Sequence, residues 1–387
     1  MKLAILHIAS VFGGAERTTA NLLAHLDRTR IDEIVVLSMA PLEAHFAGAD
    51  RFIDLSPDGL QGWFAGGLRT LRRDARIVAD RLRQIRPDCV LAMMHYGSAL
   101  LAMARFYGLR TRAVASFRGP VYEHMRHFEQ GCCRRGYLHA LIGATVHITD
   151  RVIVPSVGTG DELVRRFLAP RHKVAVIPNG IDAAAVSRAA AGAVTDCPPL
   201  TGGSDGPVLC TVARLSPEKN LSLLLQAFVP VARATSASLL ILGDGPDRSA
   251  LERLAHSLGI GRHVFFLGER ENVFAYVARA DLAVHVCLYE GFGYTMLEAF
   301  ACGTPVVAQD CPYGPREILG NSAFGVLVPT GESGALSQAM LRLLSDAAER
   351  RRLAGLGRRR AEQLSVRAMA TRYEAVFLGE TLRAGEK

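Results

Sequence analysis

The sequence predicts an α/β protein built from two doubly wound, Rossmann-like domains, and three observations support this. The chain has 387 residues, 49% of them hydrophobic, which is more than one core usually accommodates. Short aliphatic and β-branched runs alternate with longer helical patterns, as is typical of βαβ units around a parallel sheet. About six such runs lie in each half, the number expected of a Rossmann-like domain.

The predicted strands are short and apolar. In the first half they are Leu3–Ile8, Glu33–Ser38, Cys89–Met93, Thr111–Ser116, Arg151–Pro155 and Val174–Ile177. In the second half they are Val208–Ala213, Ser238–Leu242, Val264–Leu267, Leu282–His285, Pro305–Ala308 and Gly325–Val328.

The domain boundary is predicted in residues 183–206, which are rich in Ala, Gly, Ser, Pro and Thr and lack apolar periodicity. This composition is typical of a linker. The predicted domains are therefore 1–182 and 207–364. The remaining residues, 365–387, predict a helix that returns to the first domain, with Met369, Tyr373, Val376 and Phe377 on one side.

Several classes of protein are disfavoured. No apolar run reaches the ~18 residues of a membrane span, and no cleavable leader is recognisable at the N-terminus, so a cytoplasmic or peripheral membrane protein is expected. The eight cysteines lack paired spacings and are expected to be reduced. The spacing of His124, His127, Cys132 and Cys133 fits no standard zinc site, so a polar surface segment is the favoured interpretation.

The net charge of +8 lies entirely in the first half. Residues 1–190 contain 25 Lys and Arg against 17 Asp and Glu, whereas residues 191–387 contain 20 of each. This asymmetry suggests an anionic partner for the first domain. Nucleic acid is not expected, because aromatic residues do not interleave with the basic clusters and no known module is present.

The segment Arg69–Arg86 predicts an amphipathic helix whose polar face carries Arg69, Arg72, Arg73, Arg76 and Arg83. That face either is simply solvated or contacts anionic lipid headgroups.

Two cations follow the first strand of the second half. Arg214 and Lys219 precede a helix predicted to begin around Asn220. Cations beside a helix N-terminus can hold a diphosphate, although an ordinary solvated loop fits these residues equally well.

Glycines follow the next strand, in Gly243-Asp244-Gly245, and allow close approach of a ligand. A dinucleotide fingerprint would need a further glycine where Arg248 stands, and the first strand of the chain is followed only by Gly13-Gly14. A nicotinamide-dependent dehydrogenase is therefore disfavoured.

The most informative stretch runs from Tyr289 to Val307. Glu290 precedes the turn Gly291-Phe292-Gly293, and Glu298 lies on the second turn of the helix predicted after it. The N–H groups of residues 291–294 are expected to face an anion. A buried carboxylate at position 298 needs hydrogen-bond donors, and sugar hydroxyls are suitable.

These residues resemble a known family. The two glutamates within EGFGYTMLEAFACGTPVVA resemble the acidic motif of the retaining family-4 glycosyltransferases, which have the two-domain GT-B architecture. The segments VARLSPEKN, LILGDGP, VFFLG, VIPNGID and HIASVFGGAERTTANLLAHL resemble the other landmarks of the family, in its order. The resemblance implies a retaining glycosyltransferase whose first domain binds a glycan or lipid-linked acceptor and whose second domain binds a nucleotide-sugar donor.

The resemblance also implies roles for single residues. Arg214 and Lys219 would hold the donor diphosphate, Glu298 the ribose and Glu290 the transferred sugar. Gly13 and Gly14 would let the first domain approach the diphosphate, and Gly268 to Arg270 would border the base. No Asp-x-Asp occurs, so neither a metal nor another cofactor is expected, and cations with helix dipoles would balance the phosphate charge.

One departure from the family concerns a first-domain histidine near the reacting sugar. The comparable stretch here is Ala115 to Gly119, in which Arg118 is expected to substitute as a cation. His95 and His124 are interpreted as packing or surface residues.

The donor and the reaction remain open at this level. Residues 310–317 resemble a subset that uses UDP-N-acetylhexosamines to build lipid-linked or surface oligosaccharides, although a Pro/Gly turn explains them too. GDP-mannose, another UDP-hexose, and an epimerase or hydrolase on the same fold are the alternatives.

Overall fold

Parallel β-sheets form the centre of both halves of the chain, as the alternation of strands and helices predicts. The computed structural model describes residues 1–8, 14–60, 67–202 and 206–380. It divides into unit 1, Met1–Gly180 with Val366–Lys387, and unit 2, Ile181–Ser365. The prediction of two parallel α/β domains is confirmed.

Unit 1 contains a seven-stranded parallel sheet in the order β3-β2-β1-β4-β5-β6-β7. The strands are β1 (Lys2–His7), β2 (Glu33–Ser38), β3 (Arg51–Asp54), β4 (Cys89–Met93), β5 (Arg112–Ser116), β6 (Arg151–Val154) and β7 (Val174–Val176). The helices that cover it are α1 (Gly14–Leu23), α2 (Leu68–Ile85), α3 (Met94–Ala104), α4 (Val121–Phe128), α5 (Cys132–Ile148) and α6 (Val157–Phe167).

Unit 2 contains a six-stranded parallel sheet in the order β10-β9-β8-β11-β12-β13. Its strands are β8 (Val208–Val212), β9 (Ser238–Leu242), β10 (Val264–Gly268), β11 (Leu282–His285), β12 (Val306–Gln309) and β13 (Val326–Val328). Its helices are α7 (Ala183–Ala190), α8 (Leu221–Thr235), α9 (Arg248–Ser257), α10 (Val273–Val277), α11 (Tyr294–Cys302), α12 (Gly314–Ile318), α13 (Ser333–Ser345) and α14 (Ala347–Gln363).

The last helix, α15 (Val366–Leu378), packs in unit 1. Its apolar side chains belong to the same core as β1 and β4. Tyr373 is fully buried and Glu374 accepts a hydrogen bond from the backbone N–H of Asp27. The chain therefore completes the core of its first unit with its final helix.

The structure differs from the sequence predictions at two places. Strand β3 was not predicted because it is a half-exposed edge strand of four residues with a charge at each end and no β-branched run. Residues 183–206 are not simply a linker, since 183–190 form helix α7, capped by the Asp182 carboxylate at 2.8 Å from Ala185 N. Val186 and Cys197 are buried in the core of unit 2, which a count of small residues could not reveal.

Within the described residues, none of the helices is both long enough and apolar enough to cross a membrane.

Candidate functional site

The predicted binding residues of unit 2 follow the carboxyl ends of its strands. Strand β8 lies between β9 and β11, so the order of the chain reverses at this point of the sheet. In open parallel sheets, ligands bind in the crevice at such a reversal, outside the strand ends. Arg214 follows β8 and Glu290 follows β11, which places the two loops at the crevice.

Lys219 and Glu290 form an ion pair at this position. Lys219 Nζ lies 2.7 Å from Glu290 Oε2. Lys219 ends a 3₁₀ turn, Pro217–Lys219, and α8 begins at Leu221 directly behind it. Burial would raise the pKa of the Glu290 carboxyl, but the Lys219 cation outweighs it and holds this pKa at about 2. Both groups are therefore ionised, and their opposite charges balance.

Two further groups surround the same carboxylate. Cys287 Sγ lies 3.6 Å and His285 Nε2 3.7 Å from Glu290 Oε2. Burial lowers the pKa of His285 to about 4 and raises that of Cys287 to about 12. Sequence reasoning missed both residues. The signal that could have found them is the spacing His-x-Cys-x-x-Glu, where a strand runs directly into the loop.

The turn after Glu290 leads into α11. Gly293 has φ +104° and precedes the helix, and Glu298 is 5% exposed on its second turn. The N–H of Gly291 donates to Glu290 Oε1 at 3.1 Å, so it is engaged by a side chain rather than open to an anion. The ring of Phe292 is buried in the core, so the predicted contact would have to use its backbone.

The loops after β9 and β10 pack closely together. Gly243 has φ +122°, and a Cβ there would lie 2.1 Å from Ala213 O. Its N–H donates to Gly268 O at 2.9 Å. Glycine is thus required by backbone contact between loops, independently of any ligand. Arg214, by contrast, is exposed.

Arg270 has partners inside unit 2. Its Nη2 lies 3.1 Å from Asp196 Oδ2, and its guanidinium lies 6.0 Å from the ring centroid of Tyr276. The Tyr276 hydroxyl also donates to Asp196. Arg270 therefore fastens the segment after α7 to the loop after β10, a role that the sequence did not indicate.

Unit 1 contains the remaining predicted residues. Gly13 lies outside the described residues, and Gly14 begins α1 with its backbone exposed. Arg118 follows β5, where its Nη1 donates to the Tyr373 hydroxyl at 2.8 Å and its Nη2 to Thr18 Oγ1 at 3.1 Å. Nη2 also donates to Asn179 Oδ1. The guanidinium joins four segments of unit 1.

Comparison with known families and proteins covers most of the chain. Residues 12–185 match the family "Glycosyltransferase Family 4", and residues 200–360 match "Glycosyl transferases group 1". One similar protein is the N-acetylgalactosamine-N,N'-diacetylbacillosaminyl-diphospho-undecaprenol 4-alpha-N-acetylgalactosaminyltransferase of Campylobacter jejuni. It is 25% identical over 68% of this chain and 69% of its own length.

A second relative and a crystal structure extend the comparison. The GDP-mannose-dependent alpha-(1-6)-phosphatidylinositol monomannoside mannosyltransferase of Mycolicibacterium smegmatis is 34% identical over 40% of this chain and 42% of its own length. The structure of HepE from Anabaena in complex with UDP superimposes with a TM-score of 0.78 at 20% identity, and covers 98% of this chain and 100% of that one. The last similarity is one of fold.

Proposed function

The chain belongs to the family-4 glycosyltransferases with the GT-B architecture. From this premise we propose that it transfers a hexose or N-acetylhexosamine from a UDP-sugar to a glycan or lipid-linked acceptor, with retention of configuration. The observation that carries the proposal is the Lys219–Glu290 ion pair at the chain reversal of the unit 2 sheet.

The ion pair suggests how a donor is received. Without a donor, the Lys219 ammonium and the Glu290 carboxylate neutralise each other at 2.7 Å. An arriving diphosphate offers Lys219 a doubly charged partner, to which Arg214 adds a second cation. Glu290 is then released to accept hydrogen bonds from the hydroxyls of the transferred sugar. Donor binding is therefore an exchange of partners between groups that are already ionised.

The positions of the other predicted residues of unit 2 suggest the remaining contacts with the donor. Glu298, which is nearly buried on α11, would accept hydrogen bonds from the ribose hydroxyls. The exposed Arg214 and the N-terminal end of α8 would balance the charge that develops on the leaving nucleotide. We propose that no metal ion is needed, and that same-face attack is assisted by the leaving phosphate.

The choice of donor rests on the comparisons. HepE was crystallised with UDP, and the Campylobacter relative transfers N-acetylgalactosamine. Residues 310–317 resemble the segment of enzymes that use UDP-N-acetylhexosamines. The Mycolicibacterium relative, named as GDP-mannose-dependent, keeps a mannosyltransferase as the second candidate.

The acceptor is proposed to be lipid-linked and to meet unit 1. The Campylobacter relative acts on an undecaprenol-linked saccharide, and the other curated relative acts on a phosphatidylinositol mannoside. The excess positive charge of this chain lies in residues 1–190, which suits an acceptor at an anionic surface. We place the enzyme in the cytoplasm, on the inner face of the cytoplasmic membrane.

A thermal-shift screen against UDP-, GDP- and ADP-sugars tests the donor. A ligand present at about 100 times its Kd stabilises the folded state by about 2.7 kcal/mol, so UDP-sugars should raise the melting temperature and the other two groups should not. The variant Lys219→Met keeps the length of the side chain and should lose the shift. A shift by GDP-mannose alone would select the second candidate. Product analysis without any acceptor is a separate test, in which sugar release would indicate a hydrolase and epimerisation an epimerase.

A further inference from the structure

The proposed donor mechanism leaves two buried side chains beside Glu290 without a role. The cluster of His285, Cys287 and Glu290 offers one nitrogen, one sulfur and one carboxylate oxygen, all within 4.8 Å of one another. His285 is 8% exposed, and its Nε2 has no hydrogen-bond partner within the described residues. A buried ring nitrogen without a hydrogen-bond partner needs an explanation, and a metal ion shared with the nearby thiol and carboxylate supplies one.

The two distances from Glu290 to the other ligand atoms fit a small tetrahedral ion. Zinc binds nitrogen, oxygen and sulfur at about 2.0–2.3 Å, so two ligand atoms of a tetrahedral site lie about 3.3–3.8 Å apart. Here Glu290 Oε2 is 3.7 Å from His285 Nε2 and 3.6 Å from Cys287 Sγ. A site with these three ligands and one open position suits zinc or cobalt far better than magnesium or calcium, which prefer oxygen.

The orientation of the His285 ring also suits a metal ligand. His285 Nδ1 lies 3.3 Å from the Thr295 hydroxyl on α11. When Nδ1 donates to this hydroxyl, Nε2 carries the free lone pair that a metal requires. The ring is thus held by a contact on its far side, as metal-binding histidines usually are.

Lys219 competes for the same carboxylate oxygen, since its ammonium lies 2.7 Å from Glu290 Oε2. The Lys219 side chain is 24% exposed, so it can turn toward solvent and keep its charge there. When a divalent ion binds, the Cys287 thiol releases its proton to solvent, a metal–sulfur bond forms, and no electron is transferred. The ion, one thiolate and one carboxylate then sum to zero charge.

We propose that His285, Cys287 and Glu290 form a binding site for a zinc-class divalent ion, and that this ion displaces Lys219 from Glu290 and thereby blocks the donor site. The metal site stands on its own geometry. The blockage rests on the proposed function, because it needs the donor to use Lys219 and Glu290. Zinc is then an inhibitor of the enzyme, not a cofactor.

Cobalt titration tests the site directly. The full chain is prepared free of metal as Cys132→Ser/Cys133→Ser, which removes the two exposed cysteines. Co²⁺ should produce the charge-transfer absorption of a cobalt–thiolate bond, and Zn²⁺ should abolish it. Cys287→Ser should remove this absorption, while Cys302→Ser, which alters another buried cysteine of unit 2, should retain it. Absorption that is absent in the parent, or unchanged in Cys287→Ser, overturns the site.

A variant of Thr295, which contacts the His285 ring, keeps the test valid if Cys287→Ser misfolds. Thr295→Val keeps the shape of the side chain and should weaken zinc binding about 10–100-fold, as loss of the hydrogen-bond partner of a metal-binding histidine does elsewhere. Unaltered zinc affinity in Thr295→Val, with His285→Asn also binding as the parent does, contradicts the ligand set.

Calorimetric titration with UDP separates the two halves of the proposal. Zinc should weaken UDP binding to the parent more than UDP binding to Cys287→Ser, because any loss in Cys287→Ser measures the zinc that UDP itself binds. Cobalt binding without any effect of zinc on UDP overturns the blockage alone. Failure of UDP to bind in metal-free buffer counts against the proposed function, and the cobalt spectrum still decides the metal site.

Discussion

Lys219 Nζ lies 2.7 Å from Glu290 Oε2 although the two residues are 71 positions apart in the chain. The contact joins the loop after β8 to the loop after β11, and the backbone N–H of Leu288 donates to Glu218 O at 2.8 Å beside it. The loops that follow two neighbouring strands thus bring one cation and one anion together at the carboxyl ends of these strands. Loss of either partner leaves a charge without its counterion.

Replacing Lys219 or Glu298 by alanine should weaken UDP binding. Removal of a hydrogen bond to a charged group costs ~1.5–3 kcal/mol, which corresponds to a loss of affinity of about tenfold to 150-fold. Isothermal titration calorimetry with UDP measures this loss. Glu349→Ala, on the surface of α14 in the same unit, serves as the control. Parental affinity in both site variants would show that the donor binds elsewhere.

Transferase activity should survive EDTA. The proposed charge balance relies on Arg214, Lys219 and helix N-termini, which a chelator does not remove. The measurement is product formation from a UDP-sugar before and after exhaustive chelation. Abolished activity that manganese or magnesium restores would instead reveal a required metal ion.

Glu162 should make the stability of unit 1 depend on pH. It is 3% exposed on α6, its Oε1 accepts a hydrogen bond from Tyr122 N at 3.0 Å, and its Oε2 has no partner among the described residues. Burial raises the pKa of its carboxyl from 4.5 to about 7. The folded state therefore holds the proton more tightly than the unfolded state, and this contribution to stability is full below pH 4.5 and disappears as the pH rises through 7.

Glu162→Gln should imitate the protonated form at every pH. Relative to the parent, its free energy of unfolding should rise by roughly 3 kcal/mol at most as the pH is raised from 4.5 to 7, because each pH unit between the two pKa values contributes about 1.4 kcal/mol. Urea denaturation at several pH values measures the difference. A difference that stays constant over this range would contradict the raised pKa.

The outer face of α2 should bind anionic liposomes, if unit 1 meets a membrane as proposed. Arg69 and Arg72 are exposed there. Arg73 instead donates to Gly59 O, and Arg76 lies 5.5 Å from the ring centroid of Tyr107, so replacing these two would also disturb the fold. Each cation near a lipid surface contributes about 1 kcal/mol.

Arg69→Glu/Arg72→Glu should therefore reduce sedimentation with anionic liposomes by at least about 2 kcal/mol in binding free energy, and binding of the parent should fall as salt is raised. The control Arg351→Glu/Arg359→Glu makes the same change in charge on exposed residues of α14 in unit 2. Equal loss in both variants would indicate a general charge effect and not a docking face.

The central strands could be predicted from the sequence because they are buried on both faces and consist of continuous apolar residues. Strands β2, β4, β9 and β11 have the predicted bounds. The edge strand β3 and the helix α7 could not be predicted in this way. One is half exposed, and the other consists largely of alanines whose burial depends on what packs against them.

Among the candidate site residues, the sequence by itself determined those related by local spacing. Glu290 and Glu298 belong to one loop and the helix that follows, so eight positions of chain fix their separation. Glycines at 268 and 293 are likewise local requirements for a positive φ. Hydrogen bonds of helices and turns connect near neighbours, and for this reason a short stretch of sequence suffices to predict them.

Only the tertiary structure decided which side chains meet. Arg118 donates to the hydroxyl of Tyr373 across 255 positions, Arg270 pairs with Asp196, and His285 and Cys287 gather around Glu290 and its partner Lys219. These contacts depend on which strands are neighbours in a sheet and on which helix packs beside them. No periodicity along the chain records that order, because it is set by burial of the two cores as wholes.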